Sequence, residues 1–489
     1  MSHSQEEMPL LQRLWRCSQA KQAPFYTPGH KQGRGISPAL SDRFGSAVFR
    51  SDLPELPELD NLFAPQGVIK QAQERAAALF GAEQTWFLAN GSTCGIVAAI
   101  LATCATGEKI ILPRNVHSSA ISGLILSGAL PVFVQPEYDP QLDIAHAITP
   151  QAVAAALAEH PDARAVMMVS PTYYGVCGDV AAIAQLCHQR NIPLLVDEAH
   201  GAHFAFHPDL PMPALTAGAD LVVQSTHKTL SALTQAAMLH VQGDRLDRNR
   251  LSQSLALVQS TSPSYLLLAS LDAARQQMAT QGRELLEQTL NLADWMRLTL
   301  GQIPGLATLR SEQAVSPGFA ALDRTRLTVT VAGLGIDGFT ADEILRTEFG
   351  VIAELPSLRN LTFIVTAGNR REDGESLVEG FRGLVSRGVG EWGSGGVGEV
   401  APLVGGVQRI FCSPREAFFA KRETVHLENA IHRVSAELVC PYPPGIPVLM
   451  PGEEVSAEAI AYLQKIISLG GIITGCADTG LNTLQVMAG

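Results

Sequence analysis

Over residues 64–242 short apolar runs alternate with alanine-rich helical ones, and this exchange of periods is what most limits the fold. A helix is expected over 68–80, ending at Gly81, and leads into a strand over 85–89. Asn90-Gly91-Ser92-Thr93 then opens a second helix that continues through 94–104. Further strands are expected over 109–113, 131–134, 165–170, 193–197 and 220–225, with helices over 150–160 and 180–190. Parallel strands need long crossover connections, and crossover helices cover both faces of the sheet they join. The fold class is therefore α/β, with a mostly parallel sheet in a large domain. Ligands of such sheets collect at the carboxyl ends of the strands. Every polar motif described below falls at such an end.

Beyond Pro263 the pattern changes to a long helix over 265–300, broken by Pro304-Gly305, and then to a shorter α+β pattern reaching about residue 380. The stretch from Arg387 to Gly406 is mostly glycine and small residues without apolar periodicity, the composition of a connector. The expected organisation is an N-terminal arm over 1–60, a large domain over 61–300, a smaller α+β domain over 301–386, a linker over 387–406 and a C-terminal domain over 407–489. Hydrophobic residues make up 46% of the 489, which excludes a mostly disordered chain. A net charge of −12 argues against a nucleic-acid partner and suits a cationic substrate. The polar start of the chain has no signal-peptide pattern, and no apolar run approaches the ~18–20 residues of a membrane span. None of the eight cysteines forms a C-x-x-C pair, which argues against a zinc ribbon and a disulfide scaffold. A cytoplasmic protein without membrane contact is expected.

Three separated features converge on one chemistry. Val196-Asp197-Glu198-Ala199-His200 ends one apolar strand, and Ser225-Thr226-His227-Lys228 ends the next. The third is the strand-to-helix turn Asn90-Gly91-Ser92-Thr93. A carboxylate, a lysine and a helix N-terminus are what a pyridoxal phosphate site requires. The lysine bonds the cofactor aldehyde, the carboxylate keeps the pyridine nitrogen protonated, and the helix N–H groups with nearby hydroxyls receive the phosphate.

Taken together, the motifs of this chain resemble those of the ornithine/lysine/arginine decarboxylase family, in its shorter form without an N-terminal wing domain. The stretches that carry the likeness are Thr27-Pro-Gly-His-Lys31, Leu59-Asp-Asn-Leu62, Asn90-Gly-Ser-Thr93, Arg114-Asn-Val-His117, Ser170-Pro-Thr-Tyr-Tyr-Gly175, Asp197-Glu-Ala-His200, Ser225-Thr-His-Lys228 and Tyr442-Pro-Pro-Gly-Ile-Pro447. The resemblance implies the aspartate-aminotransferase-like fold (fold type I) with pyridoxal 5′-phosphate as cofactor. It further implies a basic amino acid as substrate, arginine before lysine before ornithine, an amine product that is a polyamine precursor, and at least a homodimer, whose shared region could include Thr27–Lys31. Position by position, it makes Lys228 the cofactor-bonding lysine and places His227 for phosphate contact or proton transfer. Asp197 would pair with the pyridine nitrogen and His117 would stack on the ring, with His200 close by. Gly91, Ser92, Thr93 and Ser225 would hold the phosphate. The chain departs from the family at His432, where glycine is expected, and in the length of its glycine-rich connector.

Other readings of the same residues compete. His200, His203 and His207 beside Asp197 could suggest a metal site, although Gly201 and Pro208 favour a loop over a ligand-bearing helix. Ser225-x-x-Lys228 matches an acyl-enzyme signature but lacks its partner motifs. An aminotransferase would break Cα–H instead of the bond to the carboxylate, and an acyl-transferring synthase shares Asp-Glu-Ala-His-Gly. Arg114 and Tyr173 either line the pocket or cap strand ends. Asp52, Asp60, Glu423 and Glu437 are candidates for attracting a substrate's distal cation or are ordinary surface charges.

Overall fold

The computed structural model describes residues 4–387 and 409–488; the expected connector lies outside the described residues from position 388 onward. Seven strands form the central sheet: β1 (Gln84–Leu88), β2 (Lys109–Pro113), β3 (Leu130–Val134), β4 (Ala165–Val169), β5 (Leu194–Asp197), β6 (Leu221–Gln224) and β7 (Ala237–Val241). Their order is β1-β7-β6-β5-β4-β2-β3. Only β7 opposes its neighbours, pairing antiparallel with both β1 and β6. The remaining strands, β1 included, thus present their carboxyl ends along one edge.

Strand residues alternate between two separate cores. Phe87, Ile111, Val166, Val196 and Val222 enter one, together with Ile69 and Leu268. Leu88, Ile110, Met167, Leu195 and Val223 enter the other, together with Ile100 and Leu124. Both faces are covered, which is why these strands read as continuous apolar runs. The helix Val68–Phe80 ends where Gly81 takes a left-handed φ of 77° and returns its N–H to Ala77. The helix Gly91–Thr103 follows β1 directly. A Cβ at Gly95 would come within 2.8 Å of both Leu88 and Val223, so glycine there lets the helix seat against β1 and β6.

The 36-residue helix Tyr265–Leu300 spans about 54 Å at 1.5 Å per residue. It carries Leu268 and Met278 into the sheet core and Ala293, Met296 and Leu300 into a second core. That second core backs a four-stranded sheet containing Arg326–Thr330 and Asn360–Ile364. After the undescribed stretch, Arg422–His426 pairs with Thr483–Met487 and Cys440–Tyr442 pairs with Ile472–Thr474, around a further core with the helix Ala457–Ser468. His432 stands at φ 65°, the left-handed region that glycine adopts freely, and its Nδ1 lies 2.8 Å from Glu454 Oε1. The glycine expected at this position would have a backbone reason. Among the described residues no helix is long and apolar enough to cross a membrane.

Candidate active site

Because β1, β2, β4, β5 and β6 end at one edge, the loops that follow them meet there. They enclose a cavity of about 190 Å³ lined by Gly91, Ser92, Thr93, His117, Asp197, His200, Ser225, His227 and Lys228. All nine site residues expected from the sequence therefore border one space. Asn115, Val169, Pro171, Tyr173, Ala199 and Tyr442 complete the wall.

The start of the helix Gly91–Thr103 faces this cavity without a side-chain cap. Asn90, which could cap it, instead accepts from Ser260 N through Oδ1 at 3.2 Å. Uncapped first-turn N–H groups carry partial positive charge and suit an anion. Ser225 Oγ donates to Ser92 Oγ at 2.7 Å, and the adjacent Thr226 Oγ1 is buried without a hydrogen-bond partner. This donor set fits a phosphate.

Asp197 is buried at the end of β5, where Oδ1 accepts from Ala199 N at 3.1 Å. Burial raises its pKa, and the Lys228 charge and the Ala199 N–H oppose that rise. Glu198, its neighbour, accepts from Ala214 N and Gln224 Nε2 at 2.8 and 2.7 Å, so it braces the loop and does not line the cavity. His117 caps the helix Ser118–Ser127, Nδ1 accepting from Ser119 N at 3.2 Å. Burial, then the Lys228 charge, pushes its pKa down to about 4, so the ring is neutral at pH 7. His227 Nδ1 lies 3.0 Å from the Ala236 carbonyl, which can only accept, so that nitrogen carries the proton and Nε2 stays available. Lys228 Nζ lies 3.0 Å from His200 Nε2 and 5.6 Å from the centre of the Tyr173 ring. Burial lowers its pKa, partly offset by Asp197.

The C-terminal segment closes the site. Tyr173 donates to the Pro444 carbonyl at 2.7 Å, and Ser118 N donates to the Gly445 carbonyl at 3.0 Å. Gly445 has φ 82°, and a Cβ there would approach His117 Nε2 to 3.2 Å, so the glycine of Tyr442-Pro-Pro-Gly-Ile-Pro447 permits the loop to lie on His117. Tyr442, at the start of the same loop, stands in the cavity wall. Arg114 borders a separate cavity and ties the same segment down, donating to the Pro447 and Val448 carbonyls and to Glu453 at 2.8–3.1 Å.

Several candidates go elsewhere. Asp60 accepts from the N–H groups of Gly67, Ile69 and Lys70, anchoring the start of the helix Val68–Phe80. Asp52 lies 3.0 Å from His30, Glu423 is salt-bridged to Arg433, and Glu437 accepts from Ala477 N and Gln485 N. None of the four lines the cavity. A further carboxylate, Glu354, is exposed beside the edge strand of the smaller sheet and outside the cavity lining; its charge raises the pKa of His227 and, after Asp197, of Lys228, and no motif marked it. The three loop histidines diverge: His203 lies 3.2 Å from Asp323, His207 2.8 Å from Glu287, and His200 faces Lys228. Ser225 faces Ser92, while Lys228 Nζ faces His200, which is not an acyl-enzyme arrangement.

The family model for the major domain of Orn/Lys/Arg decarboxylases matches residues 8–326, and that for the C-terminal domain matches 408–475. The chain belongs to the Orn/Lys/Arg decarboxylase family. It is 39% identical over 484 residues to a Bacillus subtilis arginine decarboxylase, covering 99% of this chain and 98% of that one. Among solved structures, the constitutive lysine decarboxylase of E. coli superposes with a TM-score of 0.84 at 21% identity, covering 99% of this chain and 82% of that one. A lysine decarboxylase of Francisella novicida gives 0.83 at 22%, with 99% and 81% covered. These two establish the fold, a type I large domain with its smaller partners. Membership makes the protein an amino-acid decarboxylase and implies pyridoxal phosphate, which the donor set of the cavity fits.

Proposed function

We propose that this decarboxylase converts L-arginine to agmatine and CO₂, with Lys228 as the residue that bonds pyridoxal phosphate. The observation that carries the reading is the Lys228 amine inside one cavity with a buried carboxylate, a neutral histidine ring and an uncapped helix start. Arginine is placed ahead of lysine and ornithine because the 39%-identical relative bears that name.

When bound, pyridoxal phosphate supplies a cationic ring that accepts the electron pair left on Cα as the carboxylate departs. Ser92, Thr93, Ser225 and the N–H groups from Gly91 onward hold its phosphate. Asp197 holds the ring nitrogen protonated. His117, being neutral, would hold the ring without repelling its charge. Lys228, or His227 through its available Nε2, returns a proton to Cα. Purified protein loaded with the cofactor is expected to release CO₂ and agmatine from arginine faster than it decarboxylates lysine or ornithine. Formation of a keto acid, or reaction of a neutral amino acid alone, would remove the assignment.

We also propose a homodimer. The helices Pro38–Phe44 and Ser46–Ser51 bury no residue, and Trp15, Phe25 and Phe44 in the same N-terminal stretch are 54%, 94% and 63% exposed. A second copy would cover this apolar surface. Sedimentation velocity is expected to return at least twice the 52.1 kDa chain mass; a monomer at micromolar concentration contradicts it.

A further inference from the structure

Arg326 is fully buried on the first long strand of the smaller sheet, yet it points at the cavity loop of the large domain. Its NH2 lies 2.8 Å from His200 Nδ1 and 3.4 Å from the His200 carbonyl. A guanidinium has five N–H donors and no acceptor, and it does not lose its proton in a protein. Nδ1 of His200 must therefore accept. A neutral imidazole has one proton, so that proton sits on Nε2, the nitrogen 3.0 Å from Lys228 Nζ. There it can only donate, and a nitrogen that accepts must offer a lone pair. A free amine has one, and an ammonium does not.

We infer that Arg326 is a positioning residue that fixes the proton of His200 on Nε2 and so holds the Lys228 side chain as the free amine. The inference rests on Lys228 being the cofactor-bonding lysine, since a free amine is the form that attacks an aldehyde. The arginine has little alternative employment: its Nε and NH1 are buried without hydrogen-bond partners. Its place is prepared from two sides. Asp323, whose Oδ2 lies 3.9 Å from Arg326 Nε, supplies countercharge. Burial would raise the Asp323 pKa, but His203, Arg326 and Thr325 hold it at about 2. On the other side Gly175 has φ 86°, and a Cβ there would come within 2.6 Å of Arg326 Cβ.

The charges facing the pair do not all favour this state. Asp197 and Glu354 draw Lys228 toward the ammonium, and the Tyr173 ring also favours a cation. Burial and Arg326 oppose them, and the Lys228 pKa is lowered on balance. Burial, then the charges of Lys228 and Arg326 with His117 and His227, holds His200 well below the ordinary histidine range. A doubly protonated His200 would set an N–H against the guanidinium.

The test uses the full chain without cofactor. Trace labelling with dinitrofluorobenzene from pH 6 to 11, followed by peptide mapping, gives the pH at which Lys228 is half reactive. Arg326→Met is expected to move that midpoint up by about one pH unit, with Arg326→Lys falling between it and wild type. A midpoint unmoved in both variants overturns the inference. In wild type, which needs no variant to fold, ¹⁵N-histidine NMR is expected to show His200 protonated on Nε2 and bare on Nδ1, the signal assigned by its loss in His200→Gln. Protonation on Nδ1 overturns the inference equally. Neither readout involves substrate or turnover, so an inactive or differently specific enzyme leaves both interpretable.

Discussion

Lys228→Ala is expected to lower decarboxylation by about 10⁴-fold or more, the loss seen when a covalent catalytic group is removed. The same variant should fail to gain the visible absorbance that wild type gains when pyridoxal phosphate is added. Borohydride should fix the cofactor to the wild-type chain at residue 228 and nowhere on the variant. The fold is not expected to suffer. The Lys228 side chain lines the cavity and belongs to none of the hydrophobic cores, so its removal leaves the His200 N–H and the Asp197 carboxylate to readjust and opens no gap in the core. Thermal unfolding close to wild type would separate lost chemistry from lost structure. A variant that turns over, or a borohydride adduct on another lysine, would end the assignment of this site.

Much of this site could be read in advance because each of its nine residues sits beside a strand end that local pattern marks. The strand Lys109–Pro113 and the helices Val68–Phe80 and Tyr265–Leu300 are found at their expected bounds, since glycine and proline punctuate them. β7 escaped notice for the opposite reason: His240 interrupts its apolar run. That histidine is buried between neighbouring strands, 2.8 Å from Thr85 Oγ1 and 3.2 Å from Gln224 Oε1, a pairing that no window along the chain reveals. Arg326 and Glu354 were invisible for a related reason. They act on cavity residues from the smaller sheet without lining the cavity, across some hundred residues, and nothing around them has catalytic spacing. Asp60 misled in the other direction, because a carboxylate that satisfies helix N–H groups looks the same in sequence as one that awaits a cation.

Asp197→Asn is expected to cost about 10²–10³ in kcat while changing the Kd for pyridoxal phosphate far less. The amide is nearly isosteric, and its oxygen can keep the bond from Ala199 N that now runs to Oδ1 at 3.1 Å. What it loses is the negative charge. In the folded chain that charge is expensive, because burial raises the Asp197 pKa and only Lys228 and one backbone N–H oppose the rise. A cationic ring nitrogen placed against it would supply the missing countercharge, so carboxylate and ring each keep the other ionised. Phosphate affinity would come from a different set of groups, Ser92, Thr93, Ser225 and the helix start, none of which hydrogen-bonds to Asp197. Binding and catalysis should therefore separate in this variant, kcat collapsing while cofactor titration stays near wild type. Equal losses in both would reassign Asp197 to holding the cofactor, and wild-type turnover would remove it from the chemistry altogether.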